Sequence, residues 1–255
     1  MWSGLGWLCS GLPGHDDSLV LGWGRMTLTV QSRFRGPTTS GNGGYVAGLL
    51  AATFPGGEGP VTVTLRTPPP LETPLSVAPS PEGEGVSLLH GPTLVAVAAG
   101  GAPEGDLVAV EPVAASEVAA ISARYPGFSA HPFPECFVCG PDRSPGDGLR
   151  LFPGRVGDGR TACAWSVGAD VAGAPEFVWA ALDCPGGWAA PIEGRPMVLG
   201  RITALVSDVP LPGETCLVMG ALVGTEGRKT WTDSTVYGSD GRVLGQARST
   251  WIALP

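Results

Sequence analysis

The sequence predicts an α+β protein made of two tandem units, each an antiparallel sheet wrapped around one central helix. Three observations lead to this class. The 255-residue chain combines 43% hydrophobic residues with only 15% charged ones, a balance typical of folded domains rather than disordered chains. Its 40 glycines and 26 prolines separate short apolar runs, as in strands joined by tight turns. The same order of elements then occurs twice along the chain.

This order divides the chain into four segments. Residues 1–25 form a Gly- and Trp-rich N-terminal extension without a clear hydrophobic period, and we expect it to be poorly ordered. Residues 26–120 form the first unit, and residues 141–255 form the second. Residues 121–140 are a Pro-rich connector between the two.

The first unit starts with TLTVQSRF, whose alternation predicts a strand over residues 27–34. A Gly-rich turn leads to YVAGLLAATF, a predicted helix over residues 45–54 with one apolar face. Four predicted strands follow at VTVTLR, LSVAP, VSLLH and LVAVAAG, and a short Ala-rich helix precedes the connector. A helix lying across an antiparallel sheet is an α+β arrangement.

The second unit repeats this order. Strands at GLRLFPG and RTACAWSV precede a helix that starts at Pro175, since proline suits the first helical position. Four strands follow at MVLGRITALVSD, TCLVMGALVG, KTWTDSTVYG and VLGQARSTWIAL, and an Asp-Gly turn joins the last two. The sheets of the two units could join side by side and cover the edges that each would otherwise expose.

Charge and hydropathy exclude several partners. The net charge is −8, Lys229 is the sole lysine, and no basic stripe is present, so we expect no nucleic acid partner. No apolar run reaches the roughly 18 to 20 residues of a transmembrane helix, and the N-terminus lacks the basic region of a signal peptide. We therefore expect a cytoplasmic protein without a membrane partner. Six cysteines then imply free thiols in a reducing compartment.

Two of these cysteines, Cys136 and Cys139, form a CxxC motif in PECFVCGPDR. A structural zinc site usually needs a second such pair or a histidine pair. Neither Cys163 nor Cys184 supplies one at a useful spacing. The spacing therefore favours a turn or packing role over a metal or redox role, and we expect neither a metal nor a cofactor.

Asp183 is a carboxylate in a nearly apolar segment, APEFVWAALDCPGGWAA, whose other acid is Glu176. A carboxylate in such surroundings must be hydrogen-bonded, neutralised or used. One interpretation is a helix-terminating or turn residue before Pro185-Gly186-Gly187. The other is a catalytic acid.

Three short stretches resemble the hotdog-fold thioesterases, and among them the double-hotdog acyl-CoA thioesterase-like proteins. Asn42-Gly43-Gly44 resembles the His-Gly-Gly that starts the hotdog helix, and Ala181-Leu182-Asp183 resembles the helix stretch that carries the acidic residue. The run EGRKTWTDSTVYGSDGRVLGQA resembles the last hairpin of the family. In layout the resemblance covers residues 27–255.

The resemblance implies one composite site between the units. Single-domain members carry the glycine pair and the acid on one helix, whereas here Ala51 stands at the acid's place in the first helix and Pro175-Glu176 at the glycines' place in the second. The chain thus retains one of each, on opposite units. It would form a pseudo-dimer within itself, and association of whole chains into a homo-oligomer stays open.

The implied activity is hydrolysis of acyl-CoA or another acyl thioester, without a cofactor. The implied catalytic residues are Asn42, Gly43, Gly44 and Asp183. The glycine amides at a helix N-terminus suit a thioester oxygen as it becomes an oxyanion. Asp183 would activate a water or attack directly, partly desolvated among neighbouring apolar residues: Trp179, Leu182 and Trp188.

The sequence departs from the family pattern at the supporting residues. Asn42 replaces the histidine and cannot shuttle a proton at neutral pH. Ser249 stands where a supporting glutamine is expected, and no threonine falls at the place of the family's threonine, although Thr225 is near. Arg201 and Arg228 are candidates for contacts with the phosphates of coenzyme A, against the simpler interpretation of solvated strand residues.

Two alternatives within the fold remain. A non-catalytic acyl- or CoA-binding or structural hotdog protein would need no base. A hotdog hydratase or dehydratase would need a catalytic histidine, and the three histidines fall in the extension, a turn and the connector: His15, His90 and His131. Serine hydrolase chemistry is not expected, because the sequence has no GxSxG motif.

Overall fold

Eleven strands form one antiparallel sheet in the computed structural model, which describes residues 26–56, 59–81, 83–101 and 106–255. Three α-helices accompany the sheet in the described ranges. This arrangement confirms the predicted α+β class. The expectation for the extension, residues 1–25, lies outside the described residues.

The strands follow the predicted apolar runs with a few exceptions. Those before residue 101 are β1 (Thr27–Thr29), β2 (Val61–Leu65), β3 (Pro74–Pro79), β4 (Val86–His90) and β5 (Thr93–Gly100). Those after residue 150 are β6 (Gly154–Arg155), β7 (Arg160–Ser166), β8 (Met197–Val206), β9 (Thr215–Glu226), β10 (Lys229–Tyr237) and β11 (Val243–Ala253). The helices are α1 (Gly43–Ala51), α2 (Ala115–Ser122) and α3 (Pro175–Gly187).

The order of strands across the sheet is β1-β3-β4-β5-β2-β8-β11-β10-β9-β7-β6. The centre is the antiparallel pair of β2 and β8, in which Val61 lies opposite Ala204. The hydroxyls of Thr62 and Thr203 lie 2.8 Å apart across this pair. The sheet is therefore continuous from the strands of the first half of the chain to those of the second.

Helices α1 and α3 pack against each other, and both contact β8. Helix α1 also contacts β2 and β5, while α3 contacts β7, β9, β10 and β11. Their buried side chains belong to one hydrophobic cluster with the inward-facing residues of the strands. In this cluster Leu50 of α1 and Leu182 of α3 are fully buried.

Helix α2 covers the opposite face of the sheet. Side chains alternate between the two faces of a strand, and neighbouring residues of β7, β9 and β10 belong to different hydrophobic clusters. Those in the cluster with Ile121 of α2 are Ala162, Met219 and Tyr237, and those in the cluster with α1 and α3 are Cys163, Val218 and Val236.

Two predicted strands are shorter in the structure. The strand expected over residues 27–34 ends at Thr29, because residues 32–34 form a 3₁₀ turn that stacks the Phe34 ring on Tyr45 of α1, with 4.2 Å between ring centroids. The strand expected at GLRLFPG is reduced to β6. Its preceding residues bond to the CxxC segment instead, since the Leu149 amide donates to the carbonyl of Phe137.

Close approach of α1 and α3 depends on two glycines one helical turn apart. A Cβ atom at Gly44 would lie 2.5 Å from the Cβ of Asp183 and 2.6 Å from the Trp179 carbonyl oxygen. A Cβ atom at Gly48 would lie 2.6 Å from the Cα of Glu176. Residues three to four apart share one face of a helix, so the two glycines form a flat strip on which α3 rests.

No helix within the described ranges is long and apolar enough to cross a membrane.

We expect Gly48→Ala to destabilise the protein by about 1 to 3 kcal/mol, because the added methyl group meets the backbone of α3, which cannot rotate away. Gly224→Ala is the matched control, since a Cβ atom there meets nothing within 4 Å. Chemical denaturation of both variants measures the difference. Equal free energies of unfolding would mean that the helices can separate without cost.

Candidate functional site

Asp183 lies inside α3, which continues for a full turn beyond it to Gly187. The interpretation of Asp183 as a helix-terminating residue is therefore wrong. Pro185 lies within the same helix and lacks an N–H group, but its carbonyl oxygen accepts a hydrogen bond of 2.7 Å from the Thr161 hydroxyl of β7. The helix thus passes through the Pro-Gly-Gly sequence and holds the carboxylate on the face that meets α1.

The carboxylate of Asp183 is 2% exposed and has one satisfied oxygen. Its Oδ2 accepts hydrogen bonds from the Gly44 amide at 3.0 Å and from the Asn42 side-chain amide at 2.9 Å. Its Oδ1 has no hydrogen-bond partner in the described residues. Burial raises the pKa of Asp183 to about 7, and the Gly44 amide opposes part of this rise. A half-satisfied buried carboxylate is costly for folding, which is unusual for a structural residue.

Asn42 connects the start of α1 to Asp183. Its Oδ1 accepts the Tyr45 amide at 2.9 Å and so caps the helix, as asparagine does at this position. Its Nδ2 group donates to Asp183. The side chain is 2% exposed, and it fixes the carboxylate relative to the helix N-terminus.

The backbone amides of Gly43 and Gly44 differ in their hydrogen bonding. The Gly44 amide is occupied by Asp183, which departs from the expectation that both amides remain for a thioester oxygen. The reason is the direct contact of the two helices at Gly44. The Gly43 amide has no acceptor among the residues that the structure describes, as the first N–H groups of a helix often have none in the chain.

A cavity of about 420 Å³ opens beside these residues. Asn42, Gly43 and Asp183 line one side of it, and apolar side chains line much of the rest: Leu65, Trp188, Met197, Leu199 and Trp251. A concave, mostly apolar space with a few polar groups is the usual form of a small-molecule site. The structure therefore brings three of the four predicted residues to the wall of a cavity, while Gly44 lies behind them, bonded to Asp183.

Solved structures share this fold over most of the chain. A proposed thioesterase from Novosphingobium aromaticivorans has a TM-score of 0.61 and 14% identity, over 90% of this chain and 95% of that one. The tesB protein of Mycobacterium avium subs paratuberculosis has a TM-score of 0.58 and 13% identity, over 91% and 93%. A conserved protein of unknown function with a hot dog fold, from Alicyclobacillus acidocaldarius, has a TM-score of 0.56 and 12% identity, over 90% and 92%.

The chain has the hotdog fold.

The fold predicted from the resemblance is thereby confirmed. No family model matches the chain, and no curated protein matches it either. At these identities the likeness establishes the hotdog fold alone, and the activity has to be argued from the residues of the site.

The residues at or near the family's supporting positions, and the two candidate phosphate-binding arginines, lie elsewhere. Ser249 is buried but does not line the cavity, and its hydroxyl has no partner in the described ranges. Thr225 contacts the Thr230 hydroxyl at 3.3 Å. Arg228 donates to the Ala253 carbonyl, and Arg201 donates to the Thr64 hydroxyl at 3.0 Å. The supporting residues of the family pattern are therefore absent from the cavity wall, and neither arginine lines it.

Three side chains that the sequence analysis did not assign to the site also border the cavity. Arg66, directly after β2, is exposed, and its guanidinium group has no ion-pair or hydrogen-bond partner in the described part of the chain. His131 of the connector also lines the cavity, with burial lowering its pKa. Cys184 lies there beside Cys136. A strand-terminal arginine gives no sequence signal, whereas the CxxC motif did mark the segment that carries His131.

Substitutions at Asn42 separate its helix cap from its hydrogen bond to Asp183. Asn42→Ala removes both, and we expect a loss of about 1 to 3 kcal/mol, since a cap contributes roughly 1 kcal/mol and a bond to a buried charge more. Asn42→Ser restores a capping oxygen but no donor for Asp183, so it should recover only part of this loss. Thermal or chemical unfolding measures both. Full recovery in Asn42→Ser would show that the bond to Asp183 contributes nothing.

Proposed function

We propose that this chain hydrolyses acyl thioesters, with coenzyme A as the carrier, at one composite site between two tandem hotdog units. The observation that carries the proposal is the buried Asp183 Oδ1, which has no partner in the described residues and belongs to a carboxylate at the cavity wall. A substrate or an attacking water is the missing partner.

The strand order supports the tandem arrangement. Across the sheet, the strands before residue 101 lie in the order first, third, fourth, fifth and second along the chain. After residue 150, counted from β7 as the first, the strands lie in the same order: β7, β9, β10, β11 and β8. The short strand β6 is added at the edge beside β7. We assign residues 26–120 to the first unit, residues 121–140 to the connector and residues 141–255 to the second unit. The glycine pair starts the helix of one unit and Asp183 lies on the helix of the other.

The proposed base is Asp183. The Gly44 and Asn42 donors hold its Oδ2, which leaves Oδ1 to accept a proton from a water. That water attacks the thioester carbonyl carbon, the C–S bond breaks, and the proton passes from Asp183 to the departing thiolate. Direct attack by Oδ1 would instead form an acyl anhydride, which a water then hydrolyses. Both routes use the same oxygen.

The proposed oxyanion donor is the Gly43 amide. It lies at the first position of α1, where the helix dipole favours negative charge. It has no protein acceptor in the described ranges, and Gly43 lines the cavity. A preorganised backbone donor of this kind stabilises a developing oxyanion by several kcal/mol.

The proposed binding modes of acyl chain and carrier follow from the cavity wall. Its apolar part, with Leu65 and Leu199, suits an acyl chain, because burial of each CH₂ group contributes about 0.8 kcal/mol. Arg66 is the charged residue that could meet a phosphate of coenzyme A, since guanidinium groups bind phosphate through paired hydrogen bonds.

A second candidate is a non-catalytic acyl thioester-binding protein. The Gly44 amide is occupied by Asp183, which leaves one amide for an oxyanion instead of two. The hydratase alternative finds no such support. Both ring nitrogens of His131 have protein contacts, Nδ1 with the Phe133 amide at 2.9 Å and Nε2 with the Cys139 thiol at 3.4 Å.

The decisive variant is Asp183→Asn. It retains an oxygen for the Gly44 and Asn42 donors but removes the base, so hydrolysis of acyl-CoA should fall by at least about 100-fold. Glu176→Gln is the matched control, because it makes the same change on the same helix. The measurement is kcat/KM over a panel of acyl-CoA chain lengths, with unfolding curves for each variant.

The two candidate functions give different outcomes. A wild-type chain that binds acyl-CoA without hydrolysing it, with the same affinity in Asp183→Asn, would favour the binding protein. Equal loss of activity in Glu176→Gln would remove Asp183 from its proposed role.

Arg66→Ala tests the carrier. We expect a KM for acyl-CoA raised by about tenfold, the effect of roughly 1.4 kcal/mol, with little change in kcat. The effect should vanish with an acyl-pantetheine thioester, which lacks the nucleotide phosphates. Arg124→Ala, an exposed arginine outside the cavity wall, is the control. A similar KM change with both substrates would contradict the phosphate contact.

A further inference from the structure

Three cysteine thiols meet at the cavity wall. The Sγ atoms of Cys136, Cys139 and Cys184 all lie within 4.8 Å of one another, and all three residues are buried. The Sγ atoms of Cys136 and Cys184 are 3.8 Å apart. The described residues contain no other group of this kind.

The fold explains how the three thiols converge. Cys136 and Cys139 lie on one tight turn, in which the Gly140 amide donates to the Cys136 carbonyl at 2.8 Å. A Cβ atom at Gly140 would lie 2.4 Å from the Pro134 carbonyl oxygen, so the turn requires this glycine. Cys184 comes from α3, next to Asp183. The spacing argument missed it because the third thiol is close only in space.

A histidine stands beside the three thiols. The His131 Nε2 atom lies 3.4 Å from the Cys139 Sγ, and the His131 ring contacts Trp188 edge-on at 5.0 Å between centroids. Trp188 also contacts Tyr125 in this way, and the Tyr125 hydroxyl donates to the Cys139 carbonyl. Aromatic packing therefore holds the imidazole next to the CxxC turn.

We propose that Cys136, Cys139, Cys184 and His131 form a structural site for Zn²⁺. Zinc binds cysteine sulfur at about 2.3 Å and histidine nitrogen at about 2.0 to 2.1 Å in a tetrahedron. Two sulfurs on one such ion lie about 3.8 Å apart, and a sulfur and a nitrogen about 3.6 Å apart. The Cys136–Cys184 separation of 3.8 Å and the Cys139–His131 separation of 3.4 Å match these values, and all three sulfurs lie within 4.8 Å of one another. A disulfide would need sulfurs about 2.0 Å apart.

The three thiolates form the core of this site, and His131 completes it. In the structure the His131 Nδ1 atom accepts the Phe133 amide, so Nε2 binds zinc once the ring proton moves to Nδ1 and that contact opens. The three thiols release their protons when they bind zinc, because the thiolate is the metal ligand. Four protein ligands make a closed, structural site, which replaces the expectation that the CxxC pair holds no metal.

Zinc would join two parts of the fold at one point. Cys184 belongs to α3, and the other ligands belong to residues 131–139. The link lies one residue from Asp183 and so would fix the position of α3 against the connector. This inference rests on the thiols and the imidazole alone, and it stands whether or not the chain hydrolyses thioesters.

The first test is the metal content of the purified full chain under reducing conditions. We expect about one zinc ion per chain by inductively coupled plasma mass spectrometry. Exchange with Co²⁺ should give thiolate-to-cobalt charge-transfer absorption and the visible bands of a tetrahedral ion. A reduced, folded chain that contains no zinc and binds no Co²⁺ would overturn the proposal, as would an intact mass that shows a disulfide between these cysteines.

Cysteine variants locate the site. Cys184→Ser and Cys139→Ser should each weaken Co²⁺ binding by at least about tenfold, and His131→Ala should weaken it while the thiolate absorption remains. Cys163→Ser and Cys216→Ser are matched controls, because both are buried cysteines outside the cluster. Equal loss in the controls, or unchanged binding in Cys184→Ser or His131→Ala, would contradict the four-ligand site.

Discussion

The contact between α1 and α3 at Gly44 determines the geometry of the site. Because Gly44 has no side chain, Asp183 approaches the helix N-terminus closely enough to accept its amide at 3.0 Å. Any Cβ atom there would meet both the Asp183 side chain and the Trp179 carbonyl. The flat strip of Gly44 and Gly48 thus sets the distance between the helices, and this distance places the Asp183 carboxylate at the N-terminus of α1.

The electrostatics of Asp183 follow from the same contact. Two donors stabilise one carboxylate oxygen, while the other is buried without a partner in the described chain. A purely structural acid would be expected to satisfy both oxygens, since a missing bond to a buried charge opposes folding. Proteins retain such local costs mainly where a ligand supplies the missing bond.

Much of the fold could be predicted from the sequence because its signals are local. The Asp-Gly turn marked the hairpin of β10 and β11, and proline marked the start of α3. The helix predicted over residues 45–54 is α1, which begins two residues earlier, at Gly43. The predicted lengths of the strands at residues 27–34 and 148–154 are too long. The Phe34 ring packs on Tyr45, and the backbone at Leu149 bonds to the CxxC segment instead of to a neighbouring strand.

Part of the candidate site could also be predicted, because some of its residues carry local sequence signals. Asn42, Gly43, Gly44 and Asp183 carry short sequence signals and do meet. The occupation of the Gly44 amide, the exposed Arg66 at the cavity and the approach of Cys184 to the CxxC turn depend on contacts between distant segments. Because these segments are far apart in the sequence, the spacing of their residues does not predict that they meet.

The pairing of β2 with β8 at the centre of the sheet does not depend on protein concentration. In an assembly of two chains, such a seam would be an association equilibrium, and its occupancy would fall with protein concentration. Here the chain itself connects β2 to β8, so closing the seam is an intramolecular event with a fixed effective concentration. The contact of α1 with α3 next to this seam therefore persists at any dilution at which the chain stays folded.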